Sequence, residues 1–353
     1  MNINILYKNQ LEAINFCKQN NFESGVIHHA TGTGKSITGI NIIIEYNNIY
    51  DNKNILWICE HKFILESIFT NNNIIKYLEI IKKTHNIYNF SLEKNSHWPE
   101  LLNKSDKPIF VIINRTYLIT REKYKNIKKN IDFIIHDECH SIENNTSQLF
   151  YNYLRENHNY KVIGLSATPN INIYPFNKLL HTYTLYDALI DKNIVTPKIL
   201  WFNKENEITF SDIANEIKPY IDKLLYKKII VWCGLIDICK KLYKIWNEFY
   251  PNFTICIDTS DGNNNYDIFK NIENNAFLFC AAKHREGSDI KNLDGCLFLD
   301  KVSKRTPKTF MQCVGRVLRK APNKNYGIII DAKAKNAYEI VKRMSIYLNN
   351  NNE

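Results

Sequence analysis

No apolar run in the 353 residues approaches the ~20 that a helix needs to cross a bilayer, so the chain is not expected to be built around a membrane span. The start, Met1-Asn2-Ile3-Asn4-Ile5-Leu6-Tyr7-Lys8, lacks the basic n-region and small-residue cleavage site of a signal peptide. An intracellular or otherwise reducing setting is expected, not a secreted one; cytoplasm, nucleus and virion stay open. Cysteine pairs are missing too. The nine cysteines are scattered, and no two show the two-residue spacing of a zinc or redox site. Most sit in apolar runs, where a reduced thiol behaves as a small hydrophobe, so no structural zinc is expected. Short-period repeats and appended modules are absent, and so are nuclease and methyltransferase motifs.

What is present describes a soluble globular chain, 44% hydrophobic and 23% charged, long enough for two domains. Its net charge of +10, from 46 Lys and Arg against 36 Asp and Glu, leans toward polyanions. A solvated basic surface would have the same balance, although basic residues do crowd positions 301–343. Asparagine runs at 71–73, 263–265 and 349–352 accompany an abundance of Ile, Lys and Tyr, as in an AT-rich genome, and the last reads as a frayed tail over 349–353.

Short β-branched runs alternate with longer amphipathic stretches, the pattern of parallel sheets with crossover helices. Strands are expected near 25–29, 54–59, 109–113, 132–136 and 162–166, then near 228–233, 254–257, 277–280, 296–299 and 327–331. Helical stretches fall at 235–250 and 309–319. Residues 185–190 read as a short helix, and Thr196-Pro197 opens an extended segment. The fold class is α/β in two halves: a first domain over 1–190, a linker over 191–204 and a second domain over 205–348.

The most specific stretch is Ala30-Thr31-Gly32-Thr33-Gly34-Lys35-Ser36. An apolar strand precedes it, and apolar residues at helical spacing follow it. A strand, a glycine-bearing loop and a helix start make a cradle for nucleotide phosphates. The loop amides point inward, the helix N-terminus adds partial positive charge, Lys35 reaches the β- and γ-phosphates, and Ser36 ligates Mg²⁺. The complete pattern places glycine at position 29, where this chain has His29; an ordinary glycine turn is the alternative. About a hundred residues on, Ile131-Asp132-Phe133-Ile134-Ile135-His136-Asp137-Glu138-Cys139-His140 is a strand ending in two carboxylates. They fall at the carboxyl edge of a parallel sheet, where ligands bind. Asp137 is placed to hold Mg²⁺ and Glu138 to orient and deprotonate an attacking water. An exposed acidic turn is the plainer reading of Asp-Glu alone, and the phosphate loop upstream argues against it.

Asp-Glu-x-His after a strand resembles the second signature of superfamily two helicases, and further signatures follow in order. Gln10, with Tyr7 before it, resembles the adenine-reading glutamine, whose carboxamide can pair with the base edge while the tyrosine stacks. Leu165-Ser166-Ala167-Thr168-Pro169 resembles the motif coupling hydrolysis to domain motion; a helix N-cap before Pro169 is the alternative for its hydroxyls. Arg285-Glu286-Gly287-Ser288-Asp289-Ile290 and Gln312-Cys313-Val314-Gly315-Arg316-Val317-Leu318-Arg319 resemble the fifth and sixth motifs.

The resemblance covers nearly the whole chain. It implies two tandem RecA-like domains with ATP and Mg²⁺ in the interdomain cleft. Lys35, Asp137, Glu138, Gln312, Arg316 and Arg319 would be catalytic, and Gly287 and Asp289 would touch the nucleotide ribose or Mg²⁺ shell. His140, Ser166 and Thr168 would couple the domains. By the same resemblance His61, Lys62, Asn114, Arg115 and Thr116 would grip a nucleic-acid backbone, although an ordinary surface role is as natural for each. The Asp-Glu-Cys-His box, the Gln at the head of the sixth motif and residues 183–197 resemble the restriction-enzyme motor branch, which includes compact motors of large DNA viruses. DNA is favoured over RNA as the track, and a subunit of a larger assembly is the rival to an autonomous motor.

Overall fold

The computed structural model describes residues 6–60, 72–90, 98–201, 209–262, 264–285, 290–300 and 307–332. The chain divides into two compact units, with the main boundary between Tyr183 and Thr184 and with Thr31–Thr33 grouped with the second unit. The first carries strands β1 (Gly25–His29), β2 (Ile55–Cys59), β3 (Asn86–Asn89), β4 (Ile109–Asn114), β5 (Phe133–Asp137), β6 (Lys161–Ser166) and β7 (Leu179–Tyr183). Its helices are α1 (Lys8–Gln19), α2 (Lys35–Ile49), α3 (Asn72–Ile81), α4 (Trp98–Asn103), α5 (Arg115–Ile119) and α6 (Asn145–Asn157). The second carries α7 (Leu185–Ile190), β8 (Thr196–Trp201), α8 (Phe210–Ile221), β9 (Lys228–Trp232), α9 (Ile236–Phe249), β10 (Thr254–Asp258), α10 (Tyr266–Asn271), β11 (Ala276–Cys280), β12 (Gly295–Phe298), α11 (Pro307–Val317) and β13 (Tyr326–Asp331).

The first sheet has the order β3-β4-β2-β5-β6-β1-β7 and the second β10-β11-β9-β12-β13-β8. Every strand pairing in both is parallel. Central strands of such sheets are covered on both faces, so they read as continuous apolar runs. β2 shows this plainly. Ile55, Trp57 and Cys59 enter one core with α1, α2 and α3, whereas Leu56 and Ile58 enter the other with Trp98 and Phe150. Helix α2 lies close on its sheet because position 39 is glycine: a Cβ there would stand 2.8 Å from Leu165 Cδ1 and 2.9 Å from Trp57 Cη2.

The expected central strands are all present. Two edge strands, β3 and β7, carry polar residues and had no apolar run to announce them. The expected bounds are corrected at two places. Helix α7, expected to close the first domain over 1–190, groups with the second unit, and within the expected linker 191–204 residues 196–201 are strand β8, paired along its length with β13. An edge strand is hydrogen-bonded on one side only and half exposed, and its sequence therefore resembles a connector. The nine cysteines are all buried with free thiols. None of the described helices is long and apolar enough to cross a membrane.

Candidate active site

Strands β5, β6 and β1 are neighbours, so their carboxyl ends stand side by side. Asp137 ends β5, Ser166 ends β6, and the loop 30–34 leaves β1 for the start of α2 at Lys35. Gly34 adopts the left-handed conformation at φ 84°, which glycine reaches without the Cβ penalty. A Cβ there would also collide with Gln10 Nε2 at 2.3 Å.

Lys35 Nζ lies 3.6 Å from Glu138 Oε1, and Ser36 Oγ donates to Asp137 Oδ2 at 3.4 Å. Lys35 and Asp137 are buried. Burial pushes the Asp137 carboxyl up from the ordinary carboxylate range, and the charge of Glu138 pushes the same way. Lys35, the Glu138 amide and Ser36 pull against them. Glu138 has φ 53°, a backbone state costing a non-glycine residue roughly 1–2 kcal/mol, which turns the second carboxylate back beside the first. Two adjacent carboxylates that resist joint ionisation, with a hydroxyl on one and an ammonium on the other, form a donor set suited to a divalent cation and a polyphosphate.

His140 adjoins this set, with Nδ1 3.4 Å from Glu138 Oε2 and 3.5 Å from Ser166 Oγ. Ser166 Oγ accepts from the Thr168 amide at 3.0 Å. No helix begins in residues 167–178, which join β6 to β7, so the helix-cap reading of these hydroxyls is set aside. The Thr168 hydroxyl is buried without a hydrogen-bond partner. Thr33 is buried and Thr31 partly so, while Gly32 turns the loop at φ 90°.

Gln10 differs from expectation in one respect. Its carboxamide is engaged at both ends, accepting from Tyr7 N at 2.9 Å and donating to Gly34 O at 3.3 Å. It thus fastens the start of α1 to the phosphate loop, and Tyr7 remains 46% exposed beside it. His29, at the position the pattern reserves for glycine, is fully buried. Its Nε2 lies 2.9 Å from His181 Nδ1 on β7. Burial holds the imidazole well below its usual pKa, with the charges of His181 and Lys35 adding to the effect.

The backbone-gripping candidates fare unevenly. His61 and Lys62 lie outside the described residues. Asn114 caps α5, its side chain accepting from the amides of Thr116 and Tyr117 and donating to Glu60 O at 2.6 Å. Arg115 is ion-paired with Glu60 and donates to Ser147 Oγ at 3.2 Å. Thr116 is exposed. Asn114 and Arg115 are therefore held by their own unit, and their resemblance to a backbone-binding motif concealed that structural work.

In the second unit, Gln312 and Arg316 lie on α11 and are buried. Arg316 Nε donates to Arg285 O at 3.2 Å, and Arg285 Nη2 pairs with Asp300 Oδ2 at 2.8 Å. The Gln312 carbonyl oxygen has no partner. Gly287 and Asp289 lie outside the described residues. Arg319 is a correction to the expected helix over 309–319. The helix ends at Val317, and Lys324 draws the chain into a turn there by donating to Val317 O at 2.5 Å and Arg319 O at 3.2 Å. Sequence reasoning also missed the triad of Asp258 with Lys283 at 2.7 Å and His284 at 2.5 Å. No spacing in the chain announces it.

A family model described as the type III restriction enzyme res subunit matches residues 4–171. A candidate ATP-dependent DNA helicase of Schizosaccharomyces pombe, fml2, is 25% identical over 240 residues, 63% of this chain and 30% of its own length. The chain thus spans about a third of that relative. Among solved structures, the ATP-dependent type ISP restriction-modification enzyme LlaBIII bound to DNA matches 98% of this chain and 29% of its own, with a TM-score of 0.68 at 16% identity. Saccharomyces cerevisiae Dbp5 bound to RNA and ADP BeF3 matches 98% and 88%, with a TM-score of 0.67 at 13% identity. The chain carries the tandem RecA-like fold of helicases, and over residues 4–171 it is similar to the type III restriction enzyme res subunit.

Proposed function

We propose that the chain is a nucleic-acid-dependent ATPase working as a translocase or helicase, with DNA as its track. The observation that carries this reading is the convergence of Lys35, Ser36, Asp137 and Glu138 at one sheet edge. DNA is favoured over RNA because the curated relative is named for a DNA helicase and the family model for a restriction enzyme.

When bound, ATP with Mg²⁺ supplies a phosphoryl group primed for transfer to water. Lys35 exchanges Glu138 for phosphate oxygens, and the loop amides from Thr31 to Gly34 point at the same charge. Ser36 and Asp137 hold the cation. Glu138, freed from Lys35, orients a water and takes its proton, and His140 holds the Glu138 carboxylate in place. Gln10 reads the adenine by giving up Gly34 O, with Tyr7 against the ring. Arg316, Arg319 and Gln312 act on the γ-phosphate from the second domain, where such arginines contribute on the order of 10³–10⁵ in rate. Gly287 and Asp289 would serve the ribose or cation shell, Ser166 and Thr168 would transmit the nucleotide state, and Thr116, His61 and Lys62 would bind the strand. Alternation between nucleotide-bound and free states shifts the grip on the backbone.

The test is ATP hydrolysis alone and with single-stranded, duplex and forked DNA and with RNA, beside Glu138→Gln. Stimulation by DNA that is lost in Glu138→Gln supports the reading. Stimulation by RNA alone reassigns the track. ATP binding without turnover on any polymer points to a subunit that needs a partner.

A further inference from the structure

We infer that the amino-terminal edge of the first sheet carries a second binding site, for a single-stranded segment of nucleic acid. The proposal rests on the reading of the chain as a nucleic-acid motor. A cleft of about 880 Å³ opens there, lined by the approaches to β1, β6 and β7 and by the last turn of α6. All three strands are parallel, so the cleft lies at the opposite end of β1 from the phosphate loop, about one strand length or ~16 Å away. It belongs neither to the carboxylate site nor to the strand ends where backbone grip was expected.

Its chemistry is that of a nucleotide platform. The Arg155 guanidinium sits 5.2 Å above the Tyr174 ring, Tyr174 as a residue is 39% exposed, and its hydroxyl is fixed by that of Tyr160 at 3.0 Å. Arg155, Lys161 and Lys178 line the cleft against one carboxylate, Glu23, which Lys178 already neutralises. Lys161 is held by the carbonyl of Asn21. The excess positive charge is therefore Arg155 and Lys161, beside an aromatic face. Bases stack on such faces whatever their sequence, while cations track the backbone. Duplex bases are already stacked and cannot use the ring, so a single strand is the occupant that fits.

The experiment measures binding of a short fluorescein-labelled oligothymidylate to the full chain by anisotropy across a salt series. Tyr174→Ala and Arg155→Ala are compared with the parent, and a parental urea unfolding transition serves as the control that each variant is folded. Tyr174→Ala is expected to weaken binding about tenfold, the loss of one base–aromatic stack, whereas Tyr174→Phe keeps the ring and most of the affinity. Arg155→Ala is expected to flatten the salt dependence by about 0.7 in log–log slope, one phosphate contact on a single strand. Glu23→Ala, removing the carboxylate that lines the cleft, should tighten binding. Parental affinity and salt slope in both alanine variants, with the parent binding well, would overturn this site and leave the motor reading intact. Polyglutamate displacing the oligonucleotide from the parent but not from Arg155→Ala would mean the cleft reads charge alone, and would overturn the nucleotide assignment. A parent that binds no nucleic acid would overturn both.

Discussion

Replacing Lys324 with methionine isolates one buried charge whose pH dependence can be worked out in advance. Lys324 donates to the carbonyls of Leu293 at 2.6 Å, Val317 at 2.5 Å and Arg319 at 3.2 Å. It is 8% exposed. Burial lowers its pKa from 10.5 to about 8; Asp294 pulls it back up and Arg319 pushes it further down. The folded value lies below the unfolded one, so between about pH 8 and 10.5 the unfolded chain holds the extra proton and stability rises with pH. The charged lysine is a full burden below that window, and the burden is lifted above it. From pH ~7.5 to ~9.5 the parent should gain about 2 kcal/mol relative to Lys324→Met. Buried thiols act oppositely, Cys17 among them with a pKa raised to about 12, because unfolding frees them to ionise. The observable is therefore the difference between the two proteins, not either curve alone. Urea titrations followed by tryptophan fluorescence read it, since Trp232 and Trp246 are buried in the second unit's core. Parallel stability curves across that range would refute the reasoning.

Three further outcomes are expected. Gly164→Ala places a Cβ 2.6 Å from Cys139 Sγ and 2.8 Å from Phe176 Cζ, directly beneath the turn that carries Glu138; it should cost about 1–3 kcal/mol, and an unchanged melting temperature would show that the turn yields freely. Arg316→Ala should leave ATP binding near parental and abolish turnover; equal loss of both, measured by nucleotide titration and phosphate release, would make its role structural through Arg285 O. Nucleic-acid binding should weaken steeply as salt rises, because phosphate contacts release counterions, and a flat response would contradict a backbone grip.

The sequence by itself determined the central strands and the edge that carries the candidate site. A strand covered on both faces must be apolar throughout, so Ile55-Leu56-Trp57-Ile58-Cys59 and Phe133-Ile134-Ile135 announced themselves. Asp137 ends one such strand and Lys35-Ser36 open the helix after the short loop 30–34 that leaves another, and parallel topology then leaves them at one edge. Local chemistry of that kind is written in consecutive residues. Tertiary structure alone decided the rest. β3, β7 and β8 are edge strands whose pairing is supplied by neighbours far along the chain, and so the residues between Thr196 and Trp201 looked like a linker. Arg115 carried a nucleic-acid motif's pattern, but Glu60, more than fifty residues earlier, claims its charge. His29 found His181 on the neighbouring strand β7, 152 residues later in the chain. None of these partners is near in sequence, and hydrogen bonds and ion pairs between distant segments exist only once the sheets have brought them together.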